Sequence, residues 1–187
     1  KLKQLKVLNI AFNKLDGKLP SSIGEIENLV TLELFMNRIE GELPASIGKL
    51  SKLEKLEMFS NNLTGKIPSE IGSLKSLKEI YLSSNDFSGR IPNALKELSD
   101  LETLSLFDNK LFGPVPASLG GLAKLEELIL SDNLLYGNVP SELAQLTNIK
   151  VLMLNNNQIK GDFASLQDNL PKDIQFEFRN LDAMKNT

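Results

Sequence analysis

The sequence of 187 residues contains no histidine, no cysteine and no tryptophan. Without histidine and cysteine the chain cannot form a Ser-His-Asp or Cys-His catalytic arrangement, and it cannot ligate haem iron or an iron–sulfur cluster through those side chains. Zinc sites built from histidine and cysteine are excluded too, so only carboxylates remain as anionic metal ligands. Disulfides are impossible, and the cysteine count therefore does not assign a cellular compartment.

Other features are also missing. No apolar run approaches the ~18 residues that a membrane helix needs, and residues 1–5 lack the unbroken apolar stretch of a signal peptide. The phosphate-binding patterns GxxxxGK[ST] and GxGxxG are absent, and no acidic stretch matches a calcium-binding loop. The net charge of −3 gives no overall basic footprint for nucleic acid. The sequence therefore indicates no cofactor and no direct insertion into a membrane.

A 24-residue period runs through most of the chain. Each unit has leucine or isoleucine at its start and again three residues later, followed by an asparagine and then a glycine. One unit reads Leu53-x-x-Leu56-x-Met58-x-x-Asn61-x-Leu63-x-Gly65-x-Ile67-Pro68. We interpret residues 1–168 as seven such repeats and residues 169–187 as a terminating half-repeat and tail.

This pattern resembles the plant-type leucine-rich repeat, LxxLxLxxNxLxGxIPxxLGxL, which is common in ectodomains of plant receptor-like kinases and receptor-like proteins. The resemblance implies an α/β repeat solenoid with a curved, parallel concave β-sheet, short 3₁₀ turns and a second short sheet on one flank. It also implies a non-catalytic receptor-like module, and it favours an extracellular location over an intracellular or organellar scaffold.

The residues themselves support the same local structure. Alternation through Leu56 and Met58 predicts a short strand with one face inward, and a lone strand of this kind buries that face only when repeats stack. The asparagine at the strand's end is expected to turn inward and to satisfy buried backbone groups as a ladder along the solenoid. The glycine allows a turn with positive φ, and the residue before proline is extended. The Ser/Ala-rich stretch that follows suits a 3₁₀ turn.

The two ends depart from the pattern. Leu2, Leu5, Leu8 and Ile10 are expected to form an uncovered end of the core, so the chain is predicted to be a piece of a longer one or to be covered there. The seventh unit has Ala164 in place of proline, and residues 174–178 alternate as one more strand. Leu181 stands in the ladder register, and residues 182–187 are expected to fray.

The positions that the repeat does not dictate are the candidates for function. Four residues per unit are expected to face outward from the concave sheet, and they carry five of the eleven aromatic residues of the chain. Six acids and one lysine give this predicted face a formal charge of −5. We expect it to bind a protein or peptide with basic and apolar side chains and to repel nucleic acid. The predicted partner-binding residues are Glu33, Phe35, Met36, Glu57, Phe59, Tyr81, Phe107 and Asp108.

Several alternatives remain open. The chain could be a structural or scaffold subunit of a larger assembly, contacted on a flank or an edge. Phe35 and Phe59 could merely pack against each other on the sheet surface. An enzyme would need a carboxylate pair that nothing singles out, and an ice-binding surface would need a regular Thr or Asn column, whereas the exposed columns are mixed. Asn62 begins the one N-x-[ST] sequence and is a possible glycosylation site.

Overall fold

In the computed structural model, which describes residues 2–178, two parallel β-sheets run side by side along a solenoid. The main sheet, which is the predicted concave sheet, has eight strands. Neighbouring strands pair in register one repeat apart, as Leu32 does with Leu56. Its strands are β1 (Val7–Asn9), β3 (Thr31–Glu33), β5 (Lys55–Glu57), β7 (Glu79–Tyr81), β9 (Thr103–Ser105), β11 (Glu127–Ile129), β13 (Val151–Met153) and β15 (Gln175–Glu177).

The predicted second sheet, here the flank sheet, has seven strands. They are β2 (Asp16–Lys18), β4 (Arg38–Glu42), β6 (Asn62–Lys66), β8 (Asp86–Gly89), β10 (Lys110–Gly113), β12 (Leu134–Asn138) and β14 (Gln158–Lys160). Each repeat glycine lies in or directly after one of these strands with a positive φ, 74° at Gly65, as predicted. A side chain at Gly65 would be strained by this backbone, and its Cβ would lie 2.7 Å from Cγ of Glu42.

A five-residue 3₁₀ turn follows each repeat proline, again as predicted. The turns span Ser21–Glu25, Ala45–Lys49, Ser69–Ser73, Asn93–Glu97, Ala117–Gly121 and Ser141–Gln145. The prolines are extended, with φ −68° and ψ 138° at Pro68, so they direct the chain out of the flank sheet before it turns. Successive turns stack closely: a Cβ on Gly72 would lie 2.5 Å from the carbonyl oxygen of Ala94.

The seventh repeat ends differently from the other six. An α-helix, α1 (Phe163–Asn169), stands where they have a 3₁₀ turn, and the sequence did not predict it. Ala164 replaces proline and keeps its N–H, and the Asp162 side chain accepts a hydrogen bond from the Ser165 amide at 2.9 Å, which caps the helix. After the helix, β15 pairs with β13 over three residues. The predictions for Leu181 and for residues 182–187 lie outside the described residues.

The core is a continuous column of leucine and isoleucine side chains between the two sheets and the turns. The asparagine ladder borders this core as predicted. Asn85 donates from Nδ2 to the carbonyl oxygens of Met58, Leu82 and Ser83 at 3.0–3.2 Å, and its Oδ1 accepts from the Leu63 amide at 3.0 Å. One side chain therefore satisfies its own turn and ties it to the preceding repeat.

At the first strand, the expected uncovered apolar surface is present in part. Leu2 and Ile10 are exposed, whereas Leu5 and Leu8 are partly buried against the core. A groove of about 420 Å³ opens beside them.

Candidate binding surface

The outer face of the main sheet is formed by the residues that alternate with the buried leucines. On β3 and the turn after it, Leu32 and Leu34 are buried, whereas Thr31, Glu33 and Phe35 are partly exposed. The predicted alternation is therefore correct, and it places the candidate residues on one surface because strands repeat in register.

Three aromatic rings form a cluster at one end of this surface. Phe35 and Phe59 stack with ring centroids 4.5 Å apart and planes 10° apart, and Phe12 meets Phe35 edge to face at 5.0 Å. Phe12 is 71% exposed, while Phe35 and Phe59 are half-buried. The cluster therefore presents a contiguous aromatic surface to solvent.

The other two predicted aromatics do not join this cluster. Ser83 takes the position of Phe35 and Phe59 in the next repeat, so it separates them from Phe107, which is 38% exposed. Tyr81 lies on β7, in register with Glu57, and makes no ring contact among the described residues. Partial burial raises the pKa of the Tyr81 phenol, although a hydrogen bond with Thr103 opposes the shift.

A strained turn position adjoins the cluster. The residue before each ladder asparagine has a left-handed backbone, with φ 54° at Phe12, 53° at Met36 and 53° at Asp108. Aspartate tolerates this conformation, but a bulky apolar residue in it is uncommon and costs free energy. Both Phe12 and Met36 are exposed, so burial does not compensate them. Every repeat has this left-handed backbone, so the fold imposes it on Phe12 and Met36 as well.

The acidic side chains differ in how far they are neutralised. Lys55 Nζ lies 3.1 Å from Glu57 and 3.4 Å from Glu79. Burial lowers the pKa of Lys55, but the hydrogen bonds and charges of these two acids outweigh it and hold the pKa above its usual value. Glu33 accepts a hydrogen bond from the Asn9 side chain through Nδ2, and neither Glu33 nor Asp108 has a cationic partner within 4 Å in the described part of the chain.

The expectation that every outward position is open to solvent is wrong at three residues. Thr103, Ser105 and Ser131 are buried. The first two lie in register between larger neighbours on the same face, as Ser105 lies between Tyr81 and Ile129. Small side chains are covered by long ones on adjacent strands only ~4.8 Å away. The outer face is therefore interrupted in the fifth and sixth repeats, although Phe107 and Asp108 of the fifth repeat are exposed.

Asn62, the possible glycosylation site, is exposed at the start of β6 on the flank sheet, and Thr64 of the same sequon is exposed two residues later. Within residues 2–178, no group of three or more acids could hold a metal ion. No helix in that range is long and apolar enough to cross a membrane.

A second exposed apolar group was not predicted from the sequence. Phe112, Leu134 and Tyr136 lie on the flank sheet and are 43%, 50% and 45% exposed. The sequence does contain a signal for this group. Phe112 and Tyr136 share one position of the repeat and Leu134 occupies another, and the other repeats have charged or polar residues at both positions.

The chain matches known repeat proteins. A family model for the leucine-rich repeat region matches residues 1–111, and a leucine-rich repeat model matches residues 124–146. No curated protein sequence matches the chain significantly.

Three solved structures are similar over nearly the whole chain. The LRR ectodomain of the plant membrane receptor kinase GASSHO1/SCHENGEN3 from Arabidopsis thaliana, in complex with CASPARIAN STRIP INTEGRITY FACTOR 2, is 34% identical with a TM-score of 0.87, covering 94% of this chain and 21% of that one. A TDR receptor is 32% identical with a TM-score of 0.89, covering 96% and 31%. The Arabidopsis receptor kinase HAESA, in complex with the peptide hormone IDA and the co-receptor SERK1, is 31% identical with a TM-score of 0.85, also covering 96% and 31%.

This chain thus spans about a fifth to a third of the length of these relatives. More than half of it fits the family model, and its two parallel sheets, asparagine ladder and 3₁₀ turns follow the same 24-residue period. The chain therefore belongs to the leucine-rich repeat family and is of the plant type seen in receptor kinase ectodomains.

Proposed function

We propose that this chain is a non-catalytic recognition module that binds an extended polypeptide segment across the outer face of the main sheet, from the repeat of β1 to that of β9. The observation that carries the proposal is the cluster of Phe12, Phe35 and Phe59, three contacting rings held at the surface. Aromatic side chains are favoured at the energetic centres of interfaces. The exposed Met36 beside the cluster supports the same surface.

The relatives add support for this class of function. The GASSHO1/SCHENGEN3 ectodomain was solved with CASPARIAN STRIP INTEGRITY FACTOR 2, and HAESA with the peptide hormone IDA. Both belong to receptor kinases, the first described as a membrane receptor, which favours an extracellular location for this chain as well. Fold-level likeness alone does not determine a ligand, so the ligand is argued from this chain's own residues.

The charges on the surface define the ligand further. Glu57 and Glu79 share Lys55, so they attract a second cation less than an unpaired acid does. Glu33 and Asp108 lack a cationic partner within 4 Å among the described residues and lie on either side of that group. We therefore propose a segment with apolar side chains on the ring cluster and basic side chains near Glu33 and Asp108. The acids mainly set the association rate and its salt dependence.

The experiment uses a displayed library of short random peptides selected on the chain, followed by calorimetric titration of one selected synthetic peptide. Phe35→Ala and Phe59→Ala should each lose about 2 kcal/mol of binding free energy, which is roughly 30-fold in Kd. Tyr81→Ala should also weaken binding. Ser73→Ala and Glu142→Ala, both exposed at the 3₁₀ turns, serve as controls.

If the two control substitutions weaken peptide binding and the phenylalanine substitutions do not, the proposal is refuted. The alternative, a structural or scaffold subunit contacted on its flank or edge, would then take its place. Urea unfolding of each variant separates a loss of binding from a loss of fold.

Asn62 is a further proposal that depends on secretion. An exposed N-x-[ST] asparagine can accept a glycan in the secretory pathway. Mass spectrometry of the secreted chain before and after glycosidase treatment tests it, with Asn62→Gln as the control. An unmodified Asn62 in secreted material would refute this assignment.

A further inference from the structure

A groove of about 640 Å³ lies on the flank of the solenoid, where the strands of the flank sheet end and the 3₁₀ turns begin. Three consecutive repeats line it, through residues 66–70, residues 89–93, and Phe112, Pro114 and Pro116. Its volume is within the range of clefts that bind ligands. It lies away from the main-sheet surface and from both ends of the chain.

One end of the groove is apolar and continues into an exposed patch. Phe112 lines the groove and pairs in register with Leu134 of the next strand, and Tyr136 follows on that strand. All three side chains are exposed. In other repeats the column of Phe112 and Tyr136 holds the polar or charged residues Asp16, Glu40, Thr64, Ser88 and Lys160. The fold therefore does not require an apolar residue there, and exposed apolar patches commonly mark interaction sites.

The adjoining side of the groove is basic. The stem of Lys66 lies against Gly89, and that of Arg90 lies against Gly113, where a Cβ would approach their Cγ atoms to 2.9 Å and 3.0 Å. Neither cation has a carboxylate within 4 Å among the described residues, whereas Lys110 on the same sheet pairs with Asp86 at 2.6 Å.

The single acid of the lining does not neutralise these cations. Glu70 accepts a hydrogen bond from the Ser69 hydroxyl at 3.3 Å and forms no ion pair in the part of the chain that the structure describes. The groove thus offers two cations that form no ion pair among the described residues, beside an aromatic ring and four prolines.

We propose that this groove docks an acidic segment of a partner protein, with an apolar side chain against Phe112 and carboxylates on Lys66 and Arg90. Charge complementarity identifies this occupant, because the main-sheet face carries the opposite sign and repels acidic chains. An arginine fork also binds a carboxylate through two parallel hydrogen bonds. The two surfaces therefore select different partners, and the inference stands without the function proposed above.

The probe is a displayed library of short random peptides, selected on the wild-type chain and counter-selected on the double variant Arg90→Glu/Phe112→Ser. Surviving peptides should contain acids near an apolar residue. A synthetic survivor, measured by fluorescence anisotropy, should bind Arg90→Glu and Phe112→Ala at least about tenfold more weakly than wild type. The matched control is Arg38→Glu, the same charge reversal at an exposed arginine on β4 outside the groove, which should change Kd less than about twofold.

Three outcomes would overturn the proposal: no peptide survives counter-selection, survivors carry no acidic residues, or Arg38→Glu weakens binding as much as Arg90→Glu. All substituted residues are exposed, so the variants should fold, and their urea unfolding curves verify this. Lys66→Ala provides a second, milder variant and should also weaken binding.

Discussion

Asn85 and Ser84 are neighbours in one turn, yet their side chains differ in burial and in hydrogen bonding. Asn85 is buried, and its side chain makes four hydrogen bonds that join two repeats. Ser84 has a left-handed backbone, φ 50°, and a half-buried side chain that makes no hydrogen bond to another of the described residues. Across seven repeats the position of Asn85 is always asparagine, whereas that of Ser84 is Phe, Met, Ser, Ser, Asp, Asp and Asn.

The difference shows where this molecule has freedom to vary. A buried polar group must match its partners, because leaving backbone groups unpaired is costly. The residue at the Ser84 position has to adopt a left-handed backbone, and Phe12 and Met36 adopt it although bulky apolar residues are uncommon in this conformation. Binding residues are therefore expected at the repeat position of Ser84 and at the strand positions beside it, and not at the position of Asn85.

The largest effect is expected in the ladder. Asn85→Ala should lower the free energy of unfolding by about 1–3 kcal/mol, since it leaves buried backbone groups of two repeats without partners. Asp86→Ala, the next residue, removes only an exposed ion pair with Lys110 and should change stability by less than about 0.5 kcal/mol. Urea unfolding measures both, and equal losses would contradict the assigned role of the ladder.

The next largest loss of stability is expected from a substitution at a repeat glycine. Gly65→Ala should cost about 1–2 kcal/mol, because its φ of 74° suits glycine and the new Cβ would meet the Glu42 side chain. Gly121→Ala is the matched control: no atom lies within 4 Å of the position that its new methyl group would take, so stability should be unchanged or slightly higher. Thermal unfolding compares the two, and a tolerated Gly65→Ala would mean that the turn can relax.

A gain of stability is expected from a substitution at Met36, which occupies the repeat position of Ser84. Met36→Asn should stabilise the chain by about 1 kcal/mol, because asparagine tolerates the left-handed backbone at φ 53° better than methionine does. Asp108→Met is the reverse change and should lose a similar amount. If Met36→Asn also lowers the affinity of a peptide selected on the main sheet, the methionine side chain contributes to binding at the cost of a strained backbone. A loss of stability in Met36→Asn would show that the side chain contributes to the fold.

The smallest expected effect on stability comes from the ion pairs of Lys55 and depends on pH. Lys55 has a raised pKa through Glu57 and Glu79, so its ion pairs stabilise the fold fully below the usual lysine value of 10.5 and are lost as pH rises through the higher folded value. The stability difference between wild type and Lys55→Gln should therefore stay constant from neutral pH to about pH 9 and shrink above it. Lys14→Gln, an exposed lysine without an ion pair among the described residues, should show no such change. A difference that persists above the folded pKa would mean that Lys55 acts by packing.

The sequence by itself determined the repeating part of this protein. A 24-residue period places Leu56, Asn61, Gly65 and Pro68 at equivalent points of successive repeats, although the seventh has Ala164 in place of proline. Each of these positions has a local physical requirement: burial, hydrogen bonding, positive φ or extended backbone. Local requirements of this kind can be inferred from a single sequence, because neighbouring repeats supply the same environment.

Only the tertiary structure decided how unlike side chains on adjacent strands meet. It stacked Phe35 on Phe59 but left Phe107 apart, buried Ser105 between larger neighbours, and opened the groove beside Phe112. It also placed α1 where proline is missing. These outcomes depend on side-chain size, rotamer and charge across strands ~4.8 Å apart, and the period fixes the spacing of the strands but not the side chains that project between them.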